Sequence, residues 1–194
     1  MTKRIAIIQG HPDAARVHLC HALAEAYAAG AEAAGHQVQT INVAALDFPL
    51  LRSKEAFEAG PLPPSLADGQ AAIGRADHLL IVYPLWLGTM PALLKAFMEQ
   101  VFRPGFAFAL QPGRPWKRPL KGKSARIVVS MGMPVFFYRW YFGAHGLKSL
   151  ERSILGFAGI GPIRESLYGR IEQASEAKRR SWLATMRRLG AEAA

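Results

Sequence analysis

Apolar residues occur along this chain either in short continuous runs or at the three- to four-residue spacing of an amphipathic helix. The run from Ile5 to Ile8 is typical of a strand that is buried on both faces. This and similar segments predict five β-strands, at residues 3–9, 37–43, 77–83, 125–130 and 163–168. Helical spacing predicts helices at 14–35, 66–76, 91–102 and 172–189, with one more after His145 within 138–157.

Strands that alternate with helices form a parallel sheet with helices on both faces. The chain of 194 residues is therefore expected to form a single domain of the α/β class, residues 1–194. We predict three layers around a flavodoxin-like, doubly wound five-stranded parallel sheet with strand order 2-1-3-4-5. Ligands of such sheets bind beyond the carboxyl ends of the strands, at the switch point between strands 1 and 3. The proline-rich stretches 44–64 and 104–122 are predicted as loops, the first with one short helical turn.

The charge of the chain is strongly basic, with 24 Lys and Arg against 14 Asp and Glu and a formal net charge of +10. Basic residues concentrate in 113–123 and in 177–188. Such charge attracts nucleic acid, an anionic membrane surface, or phosphorylated small molecules and dinucleotides. Each cluster holds a single tryptophan, too few for a row of base-stacking platforms, and no recognised nucleic-acid motif occurs. We therefore predict no nucleic-acid partner.

Targeting signals and cysteine usage indicate a cytoplasmic protein. No window approaches the roughly 18 consecutive apolar residues of a membrane span, and the first residues lack the cleavage site of a signal peptide. Cys20 is the only cysteine, so no intrachain disulfide is expected, which suits a reducing compartment. We interpret Cys20 as a small buried hydrophobe. No metal site is predicted.

The loop after the first strand, GHPDAARVHLC, leads directly into a helix. A helix N-terminus exposes unpaired N–H groups and a positive dipole end, which together bind phosphate. Gly10 allows a sharp turn, and His11, Arg16 and His18 can add charge-assisted donors. The alternative is an ordinary strand-to-helix turn with Asp13 as the N-cap. Neither a G-x-G-x-x-G motif nor a Walker P-loop is present.

The loop after the third strand reads YPLWLGTMP. Pro84 is expected to end the strand pairing and to leave the backbone amides of residues 85–88 without partners. A flat ligand with ring oxygens and nitrogens, stacked near Trp86, would accept hydrogen bonds from those amides. The alternative is that Trp86 packs under a neighbouring loop as part of the core.

The loop after the fourth strand, SMGMPVFFYRWYFGAHG, is dense in aromatic residues. Tyr138, Trp140, Tyr141 and His145 are candidates for the lining of a planar substrate pocket. Histidine exchanges protons near neutral pH without special tuning. The same aromatic residues would also serve as a hydrophobic dimer interface, and the two interpretations are compatible.

These segments together resemble the DT-diaphorase-type NAD(P)H:quinone oxidoreductases of the flavodoxin-2 family. Residues 83–108, YPLWLGTMPALLKAFMEQVFRPGFAF, match that family's aromatic-Pro-Leu loop, its Pro-Ala-x-Leu-Lys helix and its Val-Phe-x-x-x-Phe-Ala-aromatic sequel. The turn at residues 10–13 resembles the phosphate-binding turn of the family. Residues 125–138 resemble its fourth strand, its flavin loop and a tyrosine, without gaps.

The resemblance implies three groups of flavin-binding residues and a catalytic pair. The flavin phosphate would be surrounded by His11, Arg16, Val17, His18 and Leu19. The isoalloxazine ring would contact Pro84, Leu85, Trp86, Leu87 and Gly88, and from the third loop Ser130, Met131, Gly132 and Met133. Tyr138 and His145 would match a tyrosine and a histidine that help to move charge and protons during hydride transfer.

The chain departs from the family pattern at three points. Ala14, Ala15 and Arg16 stand where the family usually has Thr or Ser, so hydroxyl donors are lost and the charge of Arg16 is the expected replacement. Ser-Met-Gly-Met at 130–133 replaces Thr-Thr-Gly-Gly, so flavin contacts there would rely on backbone amides. Tyr138 and His145 are one residue further apart than in the family, which leaves Tyr141 as the alternative tyrosine.

The activity implied by the resemblance is hydride transfer from NAD(P)H through a flavin to quinones or similar planar acceptors, in a ping-pong cycle. FAD and FMN both remain open, as do NADH and NADPH, although the Arg-rich loops favour NADPH. The family also implies a homodimer, with residues 135–142 in the buried surface. A function of another class fits as well, that of an ancillary subunit of a potassium-efflux system, which would contact a transporter at the membrane.

Overall fold

The computed structural model describes residues 1–109 and 116–194 of the chain. Residues 113–115 of the first basic cluster, and residues 110–115 of the loop predicted at 104–122, lie outside this described part. Five parallel strands form one sheet in the order β2-β1-β3-β4-β5, which confirms the predicted flavodoxin-like topology. Their bounds are β1 Arg4–Gln9, β2 Gln37–Asn42, β3 His78–Pro84, β4 Ser124–Ser130 and β5 Ile163–Tyr168.

Helices connect the strands and cover both faces of the sheet. The α-helices are α1 Leu19–Ala33, α2 Lys54–Ala59, α3 Ala67–Arg75, α4 Ala92–Val101, α5 Val135–Trp140, α6 His145–Lys148 and α7 Glu176–Ala191. Single turns of 3₁₀-helix occur at Val43–Ala45 and Pro64–Leu66. A π-helix, Ser149–Gly156, continues directly from α6. The described helices include none that is both long enough and apolar enough to pass through a bilayer.

The first helix begins later than the sequence predicts. Helix α1 starts at Leu19 rather than near Ala14, and its N-cap is His18, so the alternative of Asp13 as the N-cap is wrong. The carboxylate of Asp13 instead accepts a hydrogen bond from Ala15 N at 2.8 Å. Because Asp side chains that bond to the backbone two residues ahead favour turns over helix, residues 12–18 remain a loop.

The core lies in two layers, one on each face of the sheet. Leu79, Ile81 and Ile127 point towards α3, α4 and the π-helix, whereas Leu80 and Val82 point towards α1 and α7. This alternation follows from the period of two in a strand, and it explains why β3 is buried along its whole length. Both faces are therefore anchored at β3, next to the switch point.

Helices α1 and α7 cross at unusually short distance. A Cβ atom on Gly30 would lie 1.9 Å from the carbonyl oxygen of Arg187, and one on Gly190 would lie 2.0 Å from that of Tyr27. Each glycine thus admits the backbone of the opposite helix where a side chain would exclude it. The close crossing packs the C-terminal half of α1 against α7.

Candidate active site

The three unusual loops lie side by side at the carboxyl edge of the sheet. Gly10 N donates to Val82 O at 2.8 Å, which joins the first loop to β3. Leu85 N donates to Ser130 O, also at 2.8 Å, which joins the second loop to β4. The Sγ of Cys20 and the Oγ of Ser130 are 3.1 Å apart, so the start of α1 contacts the third loop. The structure therefore brings the predicted segments to one place, at the switch point.

The first loop is built around the buried ring of His11. Its backbone N–H donates to Gln9 Oε1 at 2.7 Å, and its Nδ1 accepts from Asp13 N at 3.1 Å. Gln9 is itself only 3% exposed, and its Nε2 is a buried donor without a partner in the described part of the chain. An unpartnered buried donor of this kind is costly to the folded chain.

Three imidazole rings gather at the start of α1. His18 stacks on His11 with ring centroids 3.9 Å apart and an angle of 15° between the planes, and His21 lies 5.3 Å from His11. His18 Nε2 and Asp13 Oδ2 are 2.8 Å apart, and this bond is the main cause of the lowered pKa of Asp13. Burial, followed by the nearby His18, lowers the pKa values of both His11 and His21. These lowered pKa values favour the neutral form of the His11 and His21 rings.

His21 is absent from the residues expected at this site. The position of His21, three residues after the N-cap, could nonetheless have indicated it, because a side chain at the third residue of a helix reaches back to the backbone of the N-cap. That position is usually Glu or Gln, and a histidine there is not recognised by the ordinary capping pattern. Gln9 was missed for a different reason, since its side chain is placed by the turn and not by any motif.

The other residues expected around the phosphate are arranged less closely. Arg16 and Val17 are exposed on the loop, and Arg16 makes no ion pair with the residues that the structure describes. Leu19 is the first residue of α1 and packs against the core layer beneath that helix. Of the five residues, the structure thus brings together His11 and His18.

The second loop is a tight turn, and the expectation of four free amides is wrong for two of them. Leu85 N is bonded to β4, and Trp86 N donates to Thr89 O at 2.9 Å while Thr89 N donates back to Trp86 O at 3.0 Å. The central residues Leu87 and Gly88 have φ values of 47° and 81°, typical of a type I′ turn. Pro84 remains within β3 and pairs with Ser130.

Two amides of this turn stay available. Leu87 N and Gly88 N have no acceptor in the described part of the chain, and the side chain of Leu87 is fully exposed. Trp86 is 50% exposed and meets the His11 ring edge-on, with centroids 6.4 Å apart. The interpretation of Trp86 as a core residue is therefore wrong, and the indole forms a wall between the first and second loops.

The third loop offers fewer contacts than predicted. Ser130 and Met131 are buried, and Met131 N is already bonded to Tyr168 O at 2.8 Å. The amides of Gly132 and Met133 have no acceptor among the described residues. A Cβ atom on Gly132 would lie 3.1 Å from a carboxylate oxygen of Glu172, so little space separates the third loop from the Glu172 side chain. Free donors thus remain at two of the four positions.

The two candidate tyrosines differ sharply in their surroundings. Tyr138 is only 1% exposed; its hydroxyl accepts from Leu147 N at 3.2 Å and donates to Gly88 O at 3.4 Å. Tyr141 is exposed, with its ring stacked on Phe137 at 4.9 Å and 4°. His145 is also exposed, at the start of α6. Of the three candidate catalytic residues, Tyr141 and His145 are therefore exposed to solvent and Tyr138 is not.

The start of α6 is clamped against the second loop. A Cβ atom on Gly146 would lie 2.3 Å from Gly88 O and 2.6 Å from the Cα of Thr89. Together with the bonds of Tyr138, this contact fixes the turn at Leu87 and Gly88 against the third loop. Across residues 1–109 and 116–194, no group of three or more His, Cys, Asp or Glu is arranged to hold a metal ion.

Comparison with known proteins agrees with this architecture. The profile of the flavodoxin-2 family, described as a flavodoxin-like fold, matches residues 3–189. The human ribosyldihydronicotinamide dehydrogenase [quinone] is 30% identical over 139 residues, which are 69% of this chain and 59% of that protein. An FMN-dependent NADH:quinone oxidoreductase of Ruegeria pomeroyi is 27% identical over 128 residues, 58% of this chain and 63% of its own.

A solved structure also resembles the chain over nearly its whole length. The NAD(P)H:quinone oxidoreductase of Methanothermobacter marburgensis superposes with a TM-score of 0.80 at 25% identity, covering 99% of this chain and 96% of its own. The matches to the two curated relatives span less than two thirds of their lengths. The family match extends over almost all of the sequence, from β1 into α7. The chain belongs to the flavodoxin-2 family.

Proposed function

We propose that the protein is a flavin-dependent NAD(P)H:quinone oxidoreductase. The observation that carries this proposal is the rigid turn whose free amides, Leu87 N and Gly88 N, lie beside the histidine loop at the switch point. The names of the human, Ruegeria and Methanothermobacter proteins support the same activity. None of these names describes a transporter subunit, so the enzyme is favoured over the ancillary-subunit alternative.

The donor set of the site fits a flavin. The unpartnered Gln9 Nε2 and the imidazoles of the first loop suit a phosphate, which needs several donors in one place. The amides of Leu87 and Gly88, with those of residues 132 and 133, suit the oxygen and nitrogen acceptors at the edge of an isoalloxazine ring. The chemistry that a bound flavin supplies is two-electron hydride transfer from NAD(P)H to a quinone, in two successive half-reactions of a ping-pong cycle.

Tyr141 and His145 are the residues that we assign to the acceptor. Both side chains are exposed. We place them at the mouth of the site, where a quinone oxygen could accept a hydrogen bond from Tyr141 Oη or His145 Nε2. Such bonds offset the negative charge that develops on the oxygen and supply the proton that completes the hydroquinone. Tyr138 lies too deep to touch the acceptor, and we assign to it the positioning of the turn at Gly88.

We further propose FMN as the cofactor, NADH as the electron donor and a homodimer as the assembly. The Ruegeria relative is named as FMN-dependent and NADH-dependent, which favours FMN and NADH over FAD and NADPH. An exposed aromatic surface at Phe136 and Trp140 supports a homodimer that buries it. We further propose that residues 1–194 act as a single domain in the cytoplasm.

The test begins with the purified protein. We expect the absorbance bands of an oxidised flavin, release of FMN on denaturation, and oxidation of NADH that depends on an added benzoquinone. Double-reciprocal plots at several quinone concentrations should give the parallel lines of a ping-pong cycle. A protein that binds neither FMN nor FAD, and oxidises neither NADH nor NADPH with a quinone present, would refute the proposal. Stable binding to a membrane transporter without turnover would favour the ancillary subunit instead.

A further inference from the structure

His21 occupies a position at the start of α1 that fixes the orientation of its ring. It is the third residue of the helix, and its Nδ1 accepts a hydrogen bond from the backbone N–H of His18, the N-cap, at 3.1 Å. A Glu or Gln at this position would make the same bond in an ordinary capping box. The histidine therefore keeps the cap and adds a second ring nitrogen, Nε2, that the cap does not use.

The capping bond also selects the tautomer of the ring. A nitrogen that accepts from a backbone N–H carries no proton of its own, so the neutral ring of His21 has its proton on Nε2. The same reasoning applies to His11, whose Nδ1 accepts from Asp13 N. Two neutral imidazoles, 5.3 Å apart, therefore each carry an N–H donor that is not used by the backbone.

Burial, more than the surrounding charges, favours the neutral form of these two rings. Burial and the neighbouring His18 lower the pKa values of His11 and His21. The carboxylate of Asp13 is bonded to His18, and Glu25, one helical turn beyond His21, is the other carboxylate near the cluster. Neutral donors bind a phosphate without first having to gain a proton, so they act at neutral pH as hydroxyls do.

The first loop lacks the Thr or Ser hydroxyl groups that the family resemblance implies as donors to the phosphate. Ala14 and Ala15 have no side-chain donors, and Arg16 lies exposed on the loop. Beneath the cluster, the buried Nε2 of Gln9 is a further donor without an acceptor. The donors that remain near the helix N-terminus are thus imidazole and amide groups in place of hydroxyl groups.

We propose that His21, with His11, binds the phosphate of the flavin through its Nε2–H, while its Nδ1 caps α1. This assignment rests on the proposed function and adds to it a ligand that lies outside the expected set. The two ring nitrogens have separate tasks, one in the helix and one towards the cofactor. Because the tasks belong to different atoms, substitutions can remove them one at a time.

A pair of substitutions separates the two tasks. In His21→Asn the side-chain oxygen lies where Nδ1 was, so the cap is kept and the Nε2–H donor is lost. In His21→Gln the side-chain oxygen can still accept from the N-cap N–H, as Gln does in an ordinary capping box, and its amide N–H restores a donor near the position of Nε2. We expect FMN affinity to fall about 10- to 100-fold in His21→Asn, as for loss of a hydrogen bond to a charged group, and to recover largely in His21→Gln.

Riboflavin, which lacks the phosphate, is the matched control ligand. Fluorescence titrations should show that His21→Asn weakens FMN binding and leaves riboflavin binding unchanged, while thermal unfolding of His21→Asn stays close to that of the wild type. Equal loss for both ligands, or unchanged FMN affinity in His21→Asn, would overturn the assignment. A wild-type protein that binds neither ligand would instead overturn the proposed function.

A second measurement needs no variant. In protein labelled with ¹⁵N-histidine, the free His21 ring should show the Nε2–H tautomer, and FMN should shift its Nε2 resonance more than riboflavin does. A ring found with its proton on Nδ1, or one whose Nε2 responds equally to both ligands, contradicts the proposal even if the substituted proteins fail to fold.

Discussion

At the scale of single residues, burial separates side chains that sequence alone treats as equivalent. Tyr138 and Tyr141 lie three positions apart, yet Tyr138 is enclosed between Gly88 O and Leu147 N while Tyr141 is exposed. A phenol that already has both a donor and an acceptor partner inside the protein is fixed in place and unavailable to a substrate. Tyr138 therefore supports the turn at Gly88, whereas the hydroxyl of Tyr141 is exposed to solvent.

Replacing each tyrosine by Phe should affect different quantities. Tyr138→Phe leaves Leu147 N without its acceptor and releases the turn at Gly88, so we expect FMN affinity to fall several-fold. Tyr141→Phe removes the hydroxyl that we assign to the quinone, so we expect kcat/KM for the quinone to fall about 10-fold at unchanged flavin content. Flavin titration and steady-state kinetics check both. Loss of quinone turnover in Tyr138→Phe with normal FMN affinity would show that the assignments are reversed.

A second residue-scale prediction concerns backbone strain at Leu87. Its φ of 47° lies in the left-handed region, where a Leu costs about 1 kcal/mol more than residues that tolerate it. Asn-Gly is the preferred pair for a type I′ turn, so Leu87→Asn should raise the free energy of unfolding by about 0.5–1 kcal/mol. Urea denaturation measures this change. A less stable variant would mean that the exposed Leu87 side chain has packing partners in the assembled protein.

At the scale of secondary-structure elements, glycines determine how closely α1 and α7 approach each other. From propensity alone, Gly30 only weakens the middle of α1 by roughly 1 kcal/mol relative to Ala. The crossing reverses that expectation, because a Cβ on Gly30 would lie 1.9 Å from the backbone of α7. Displacement of α1 also displaces the N-terminal turn that carries His18 and His21.

Two glycine substitutions test the crossing. Gly30→Ala should lower the free energy of unfolding by about 2 kcal/mol or more, because a backbone atom must move. Gly69→Ala in α3 is the control, since its Cβ would make an ordinary contact at 3.4 Å with the Ile41 side chain and should be neutral or slightly stabilising. Thermal and urea unfolding compare the two variants. Equal effects would contradict close helix contact as the cause.

At the scale of the whole molecule, a buried histidine links folding to pH. His78 begins β3 and is 1% exposed; its Nδ1 is 2.7 Å from Ser124 Oγ. Burial, with Lys3, Arg126 and Arg164 nearby, lowers its pKa from 6.5 to about 3. Between these values the unfolded chain binds a proton that the folded chain does not. The stabilisation is complete above pH 6.5 and is lost as pH falls towards 3.

The slope of this loss can be measured. His78 contributes up to about 1.4 kcal/mol per pH unit to the fall in unfolding free energy below its unfolded pKa. His78→Asn keeps a partner for Ser124 without the titrating ring, so its stability should depend less steeply on pH between about 6.5 and 4.5. Urea denaturation across this range compares the slopes. Identical slopes for the two proteins would show that other groups control the acid sensitivity.

Much of the fold was predictable, and the reasons are local. The strands follow from apolar runs such as residues 5–8, and each predicted boundary lies within one residue of the observed one. The start of α1 was not predictable from helix propensity, because the side-chain bonds of Asp13 and His11 hold residues 12–18 in a loop. The positive φ of Leu87 was not predictable either, because Leu disfavours the left-handed region and tertiary contacts impose the turn.

The location of the site was predictable from the sequence, whereas most of its side-chain contacts were not. The topology alone brings the ends of β1, β3 and β4 together. The contacts that separate Tyr138 from Tyr141, and those that join His21 to His11, depend on the angles of helices and on burial. Such contacts between residues distant in the chain have no periodic signal in one sequence.

The contact between Cys20 and Ser130 gives the chain an internal probe. Cys20 is the only thiol, is 1% exposed, and has a pKa that burial raises to about 11. A thiol reagent can therefore modify it only when the start of α1 separates from the end of β4. The rate at which the native protein is labelled thus reports how often the start of α1 separates from the end of β4. Engineered surface cysteines, in turn, can carry spectroscopic labels with little background from the native thiol.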